Sequence, residues 1–162
     1  MFLTFEWLLV IWLGMLGGCI GSFLNVVIYR LPRGKNLARP GSRCPSCDAA
    51  IRPYHNIPVL GWVMLGGRCY DCRAPIAIRY PLIEAVTALF FLGSAIMVFG
   101  RAEEPSPYAD GLAWGIYAGL TVAFSSALCM VAILIDRQRV PRGLYVSLIV
   151  GLGLMSVCLW WP

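Results

Sequence analysis

Apolar residues along this chain come in long unbroken stretches rather than in the alternating or three-four rhythm of a soluble fold. Trp7 to Tyr29, Gly111 to Ile135 and Gly143 to Pro162 carry no charged residue, and Tyr80 to Gly100 carries one, Glu84. Each stretch has about the 20 residues needed to cross a hydrocarbon core as a helix. The pattern predicts four membrane-spanning helices. Between the first and second lies a polar segment of a different kind. It contains Pro32, Pro40, Pro45, Pro53, Pro58 and Pro75 with Gly34, Gly41, Gly66 and Gly67, a density that breaks helices and marks turns. The expected fold class is an all-α polytopic membrane protein of about four transmembrane helices with a small cytoplasmic zinc-ribbon-like loop module. The expected divisions are 1–29, the first transmembrane helix; 30–79, a four-cysteine metal-binding module; and 80–162, three transmembrane helices with short loops. No internal repeat is expected.

Composition agrees with lipid as the solvent. Of 162 residues, 59% are hydrophobic and 13% charged, and the mean hydropathy is +0.75. A soluble domain this short cannot hide so much apolar surface. The first segment differs from a signal peptide in charge order: its early charge is Glu6, and basic residues begin only at Arg30. This predicts an uncleaved signal-anchor.

The net charge of +5 is explained by topology. Arg30 to Arg79 holds nine Arg and Lys against Asp48 and Asp71, and 136–142 holds Arg137, Arg139 and Arg142 against Asp136. The 101–110 loop sets Arg101 against Glu103, Glu104 and Asp110. Basic loops stay in the cytoplasm. Four helices then alternate without conflict and leave both termini periplasmic. Nucleic acid is not an expected partner; the lipid bilayer is.

Two cysteine pairs carry the first chemistry. Cys44-Pro-Ser-Cys47 and Cys69-Tyr-Asp-Cys72 are each C-x2-C, with 21 residues between them. That spacing lets four thiolates converge on one tetrahedral ion, most plausibly zinc in a structural role. A reducing cytoplasm favours metal over disulfides, with redox-active or unligated thiols the alternative. A turn-rich segment of this size has too little apolar content to fold unaided, and structural zinc supplies about 10–16 kcal/mol in small peptides. His55, a lone histidine between the pairs, reads as a surface or packing residue. Cys19, Cys129 and Cys158 read as small packing residues in membrane segments.

Inside the apolar stretches, polar residues need partners. Asn25 and Ser22 should face other helices and hydrogen-bond there. Glu84, about a turn inside the membrane, is expected to pair with Arg79 or another cytoplasmic arginine rather than to catalyse. Asp136 is either a helix-end carboxylate paired with Arg137 or Arg139, or a functional acid. Trp160-Trp161 fits an interfacial belt at the outer face.

Gly21-Ser-Phe-Leu-Asn-Val-Val-Ile-Tyr-Arg-Leu-Pro32, the two C-x2-C pairs, Asn56-Ile-Pro-Val-Leu-Gly-Trp62, Gly67-Arg-Cys69 and Arg79-Tyr-Pro-Leu-Ile-Glu84 together resemble the N-terminal half of the type IV prepilin peptidases. The match is dense over residues 14–90 and looser over 115–145. The resemblance implies an inner-membrane aspartic endopeptidase, a hydrolase that cuts the basic leader from type IV prepilins or type II secretion pseudopilins. It also implies N-methylation of the new amine with S-adenosylmethionine as a second cofactor beside zinc. Catalysis in that family uses two aspartates at the cytoplasmic membrane edge, one acting as base and one as acid. Ile135-Asp136-Arg-Gln-Arg-Val-Pro141 is the counterpart of the first aspartate loop, with proline five residues after Asp136 rather than seven. Two alignments follow: Asp136 is the first catalytic aspartate, or Leu134 stands in its place. The second family motif, Gly-x-Gly-Asp, does not occur in these 162 residues. A lone carboxylate forms no dyad. The expectation is therefore a peptidase relative completed by a companion membrane subunit or a homodimer. The alternative is a non-proteolytic relative that binds pilins, assists assembly or only transfers methyl groups.

Overall fold

The computed structural model describes residues 2–99 and 107–160, with side chains from residue 7 to 99 and from 111 to 160. The acidic 101–106 stretch and Trp161 lie outside the described residues. Four helices are long and apolar enough to cross a membrane: α1 (Phe2–Arg30), α3 (Arg79–Phe99), α4 (Pro107–Ile135) and α5 (Arg142–Trp160). A short α2 (Leu60–Met64) lies within the polar segment. Described residues contain no extended strand, only isolated bridges at Arg43–Ala50 and Arg68–Pro75.

Proline and glycine set the helix boundaries. α1 gives way to a 3₁₀ turn, Leu31–Arg33, holding Pro32, and Gly34 ends it at φ 64 with its N–H on the Leu31 carbonyl. Proline has no N–H to continue a ladder, and glycine takes positive φ without a Cβ clash. Pro81 sits in the first turn of α3, where a missing N–H costs nothing.

The bundle is two antiparallel pairs. α1 and α3 approach along Gly14, Gly17 and Gly21. A Cβ on Gly17 would stand 2.5 Å from Phe91 Cβ, and one on Gly21 would stand 2.7 Å from Glu84 Cα. α4 and α5 do the same: a Cβ on Gly151 would meet Ala123 N at 2.7 Å, and the Ser126 and Ser147 hydroxyls bond across at 2.8 Å. Small residues are what membrane helices use to come close, since lipid offers no hydrophobic drive for pairing. Leu24, Val27 and Ile28 of α1, Ile83 of α3, Cys129, Ala132 and Ile133 of α4 and Leu144 of α5 join the pairs near the module. Val10, Leu13, Phe91, Ala95 and Tyr117 join α1, α3 and α4 further along.

Asn25 behaves as expected: it is buried and donates Nδ2–H to the Tyr80 carbonyl of α3 at 3.2 Å. Ser22 is half-buried and makes no cross-helix hydrogen bond among the described residues. Cys129 is core and Cys158 packs on Gly115, while Cys19 faces outward.

Candidate metal centre and membrane-edge acids

Each cysteine pair builds its own turn. In the first, Cys44 N–H bonds Ala49 O at 3.0 Å, Asp48 N–H bonds Cys44 O at 2.9 Å, and Ile51 N–H bonds Ser42 O at 2.9 Å. In the second, Cys69 N–H bonds Ala74 O at 2.8 Å, Arg73 N–H bonds Cys69 O at 3.1 Å, and Ile76 N–H bonds Gly67 O at 2.7 Å. Asp48 and Arg73 both take positive φ, 57 and 61. The two turns are the same object 25 positions apart. Gly41-Ser-Arg-Cys-Pro-Ser-Cys-Asp-Ala-Ala-Ile51 matches Gly66-Gly-Arg-Cys-Tyr-Asp-Cys-Arg-Ala-Pro-Ile76 at Gly, Arg, both Cys, Ala and Ile. The expectation of no internal repeat is corrected here. The spacing of Arg-Cys-x2-Cys-x-Ala-x-Ile carried the signal, in a unit too short to stand out among loops.

The turns bring Cys44, Cys47, Cys69 and Cys72 together, with all four sulfurs within 4.8 Å of one another and Cys44 Sγ 3.8 Å from Cys72 Sγ. A tetrahedral ion with Zn–S bonds of about 2.3 Å needs sulfurs about 3.8 Å apart. The donor set therefore fits one ion and leaves no ligand position for water. Backbone N–H groups of Ser46 and Cys47 point at Cys44 Sγ and lower its pKa to about 6. The Ala49 N–H pulls Cys47 down, but the Cys72, Cys44 and Cys69 thiols and desolvation together outweigh it and push Cys47 up to about 12. Four thiols this close cannot all ionise unless a cation sits among them. His55 stays out of the cluster: its ring packs on Tyr54 at 4.4 Å and Tyr70 at 5.0 Å.

Trp62 braces the module. Its Nε1–H donates to Ile76 O at 3.0 Å, and its ring lies on Gly67, where a Cβ would stand 2.7 Å from Cζ2. Gly67 also has φ 69, so glycine is required there twice over.

Asp136 closes α4. Gln138 N–H bonds Ile133 O at 3.1 Å and Arg137 N–H bonds Leu134 O at 2.9 Å, with Arg137 at φ 53; this is a Schellman ending without glycine. A carboxylate there faces the negative end of the helix dipole. Its partner is Arg79, whose Nη1 is 2.6 Å from Asp136 Oδ1 and whose Nη2 donates to Ala132 O at 3.3 Å. The neighbours Arg137 and Arg139, the partners in the structural alternative for Asp136, are not the ones used. Leu134, the alternative position, is 59% exposed on the outer face, whereas the Asp136 side chain is 28% exposed and turned to α3. Among the described residues Glu84 is not paired with arginine either: its Oε2 accepts the Val59 N–H at 2.7 Å. A backbone donor was invisible to reasoning about charges.

Comparison with known proteins places the chain in a class. The family described as Bacterial Peptidase A24 N-terminal domain matches residues 15–98, more than half the chain. The chain belongs to this family. Among curated relatives, the prepilin leader peptidase/N-methyltransferase of Myxococcus xanthus is 46% identical over 100 residues, 62% of this chain and 30% of the relative. A type 4 prepilin-like proteins leader peptide-processing enzyme of Escherichia coli is 46% identical over 104 residues, 52% of this chain and 39% of the relative. The prepilin leader peptidase/N-methyltransferase of Pseudomonas aeruginosa is 35% identical over 165 residues, 88% of this chain and 52% of the relative. This chain thus spans about a third to a half of these relatives. No solved structure matches it.

Proposed function

We propose that this chain acts in prepilin processing at the bacterial inner membrane. The module 30–79 lies in the cytoplasm with Cys44, Cys47, Cys69 and Cys72 holding one structural zinc, both termini are periplasmic, and Asp136 supplies one carboxylate of an aspartic endopeptidase dyad. The observation that carries this reading is the Arg79–Asp136 contact at 2.6 Å. It ties the acid to the helix that leaves the module, so both belong to one end of the bundle. The basic leader of a type IV prepilin or a type II secretion pseudopilin arrives from that side while its apolar helix stays in lipid.

In that reaction a carboxylate takes a proton from water as the water oxygen bonds the scissile carbonyl carbon. A carboxylic acid protonates the carbonyl oxygen, and the C–N bond breaks as the leaving amine takes a proton. Held against a guanidinium, Asp136 suits the base. The acid partner is a second carboxylic acid brought beside Asp136, for which a companion membrane subunit or a second copy is one source. Zinc contributes shape rather than chemistry, because four sulfurs close its shell. Methyl transfer from S-adenosylmethionine to the new amine belongs to the same reading. No glycine-rich fingerprint for that cofactor occurs in these 162 residues.

The test is purified chain with a prepilin, alone and with a candidate companion chain, comparing wild type with Asp136→Asn. The expected result is little or no cleavage alone and companion-dependent cleavage that Asp136→Asn abolishes. Cleavage that survives Asp136→Asn would exclude Asp136 as a dyad member.

A further inference from the structure

The polar segment does not stay on the surface. Pro58 reaches the flank of α1 at Gly18, where a Cβ would meet Pro58 Cβ at 3.4 Å and Ala88 Cβ at 3.8 Å. Gly18 lies near the middle of the span Trp7–Arg33, and Ala88 near the middle of Arg79–Phe99. Nine residues of helix separate Ala88 from Arg79, a descent of about 13 Å at 1.5 Å per residue. Arg79, ion-paired with Asp136 beside the basic 137–142 loop, marks the charged edge. Pro58, next to the residue that Glu84 holds and against Gly18, therefore stands between about 7 and 13 Å along α3 from that edge, within one leaflet of a hydrocarbon core about 30 Å thick.

The chain reverses at that depth. Leu60 N–H bonds Pro58 O at 2.6 Å around Val59 at φ 62, ψ −51. This is the rare positive-φ γ-turn, and a β-branched residue at its centre is strained. The turn strands one donor, the Val59 N–H. Lipid cannot satisfy it, and irregular backbone survives at membrane depth only where protein supplies a partner. Glu84 Oε2 is that partner, at 2.7 Å. Around the turn, Ile57, Leu60, Val63 and Met64 are 44–67% exposed. On α3, Leu82, Val86 and Leu89 are exposed as well.

We propose that Ile57–Met64 is a re-entrant membrane insertion: its tip lies among the acyl chains of the cytoplasmic leaflet, and the Glu84 carboxylate clamps its γ-turn. The intramembrane acid and the insertion explain each other. A carboxylate inside a helix span is costly without a donor, and the turn's N–H is costly without an acceptor. The zinc module is thereby anchored to the bundle at depth, beyond its two chain connections.

The experiment places the photoreactive residue p-benzoylphenylalanine at position Leu60 or Val63 of the whole, zinc-loaded chain. The protein is reconstituted in phosphatidylethanolamine–phosphatidylglycerol vesicles, irradiated and analysed by mass spectrometry. Position Leu89 on α3 is the lipid reference, and Lys35, exposed in the loop, the water reference. Leu60 and Val63 should give phospholipid adducts within about twofold of the Leu89 yield, as an acyl-embedded segment requires. Yields at the Lys35 level, or adducts to protein in place of lipid, overturn the insertion. A Glu84→Leu variant tests the clamp. Adducts at Leu60 should fall to the Lys35 level while those at Leu89 persist, which shows that the bundle still folds. Glu84→Gln, which keeps an acceptor oxygen, should retain them. Unchanged Leu60 adducts in Glu84→Leu overturn the clamp.

Discussion

The cysteine module and the helical bundle are held together in opposite ways. The module is almost all turn. Each half is fixed by three backbone hydrogen bonds spanning ten residues, and the halves meet through four sulfurs. The bundle has no such centre. Its pairs are zipped by glycines spread over several turns, and its core is divided among four helices. A site of a few ligands fails all at once, whereas distributed packing fails by degrees according to how close the nearest atom stands.

Removing ligands should have the largest effect and tests the all-or-none side. Cys69→Ser with Cys72→Ser should take zinc content from about one per chain to none, since two thiolates cannot close a structural site. Protease sites between 35 and 75 should open while far-ultraviolet helicity is retained. Loss of helicity in parallel would mean that module and bundle are one cooperative unit, and the comparison would break.

Graded behaviour should show in the glycines. At Gly21 the obstacle is the Glu84 backbone, so Gly21→Leu should cost about 3 kcal/mol, the upper end of overpacking, in detergent unfolding. Gly14→Ala meets the Leu92 side chain, nearest at its Cδ1, 3.1 Å away, and should cost less than about 1.5 kcal/mol. Equal costs would deny that distance decides. Gly61→Ala, aimed at the His55 carbonyl inside the module, should resemble Gly21→Leu and weaken zinc retention as well.

The ion pair joining α3 to α4 comes next. Arg79 and Asp136 side chains are 39% and 28% exposed. A double-mutant cycle of Arg79→Met with Asp136→Asn should give a coupling of about 1 kcal/mol, discounted for solvent from a buried pair. The smallest effect belongs to Arg43→Ala. It removes a 3.0 Å contact to Asp48, whose side chain is 81% exposed. No measurable change in stability is expected; a clear loss would mean that surface charge helps hold the first turn.

Much of this was legible in the order of residues. Long charge-free runs can only be helices in lipid, because each satisfies its own backbone. Two C-x2-C pairs converge because that spacing fits one tetrahedral ion. Asn25 had to find a partner because lipid offers none, and it found Tyr80 O. Periodicity could not say which helices pair, since residues apolar on every face give no direction; the positions of Gly17, Gly21 and Gly151 against particular neighbours decided that. Nor could charge counting assign the acids. Arg79 or another cytoplasmic arginine was expected to serve Glu84, yet Arg79 pairs with Asp136 across 57 positions, and Glu84 turns to a backbone N–H left free because Val59 adopts a γ-turn. Sequence specifies which groups must be satisfied; the partner is whichever donor the packed chain delivers within 3 Å, and that depends on long-range approach rather than on spacing.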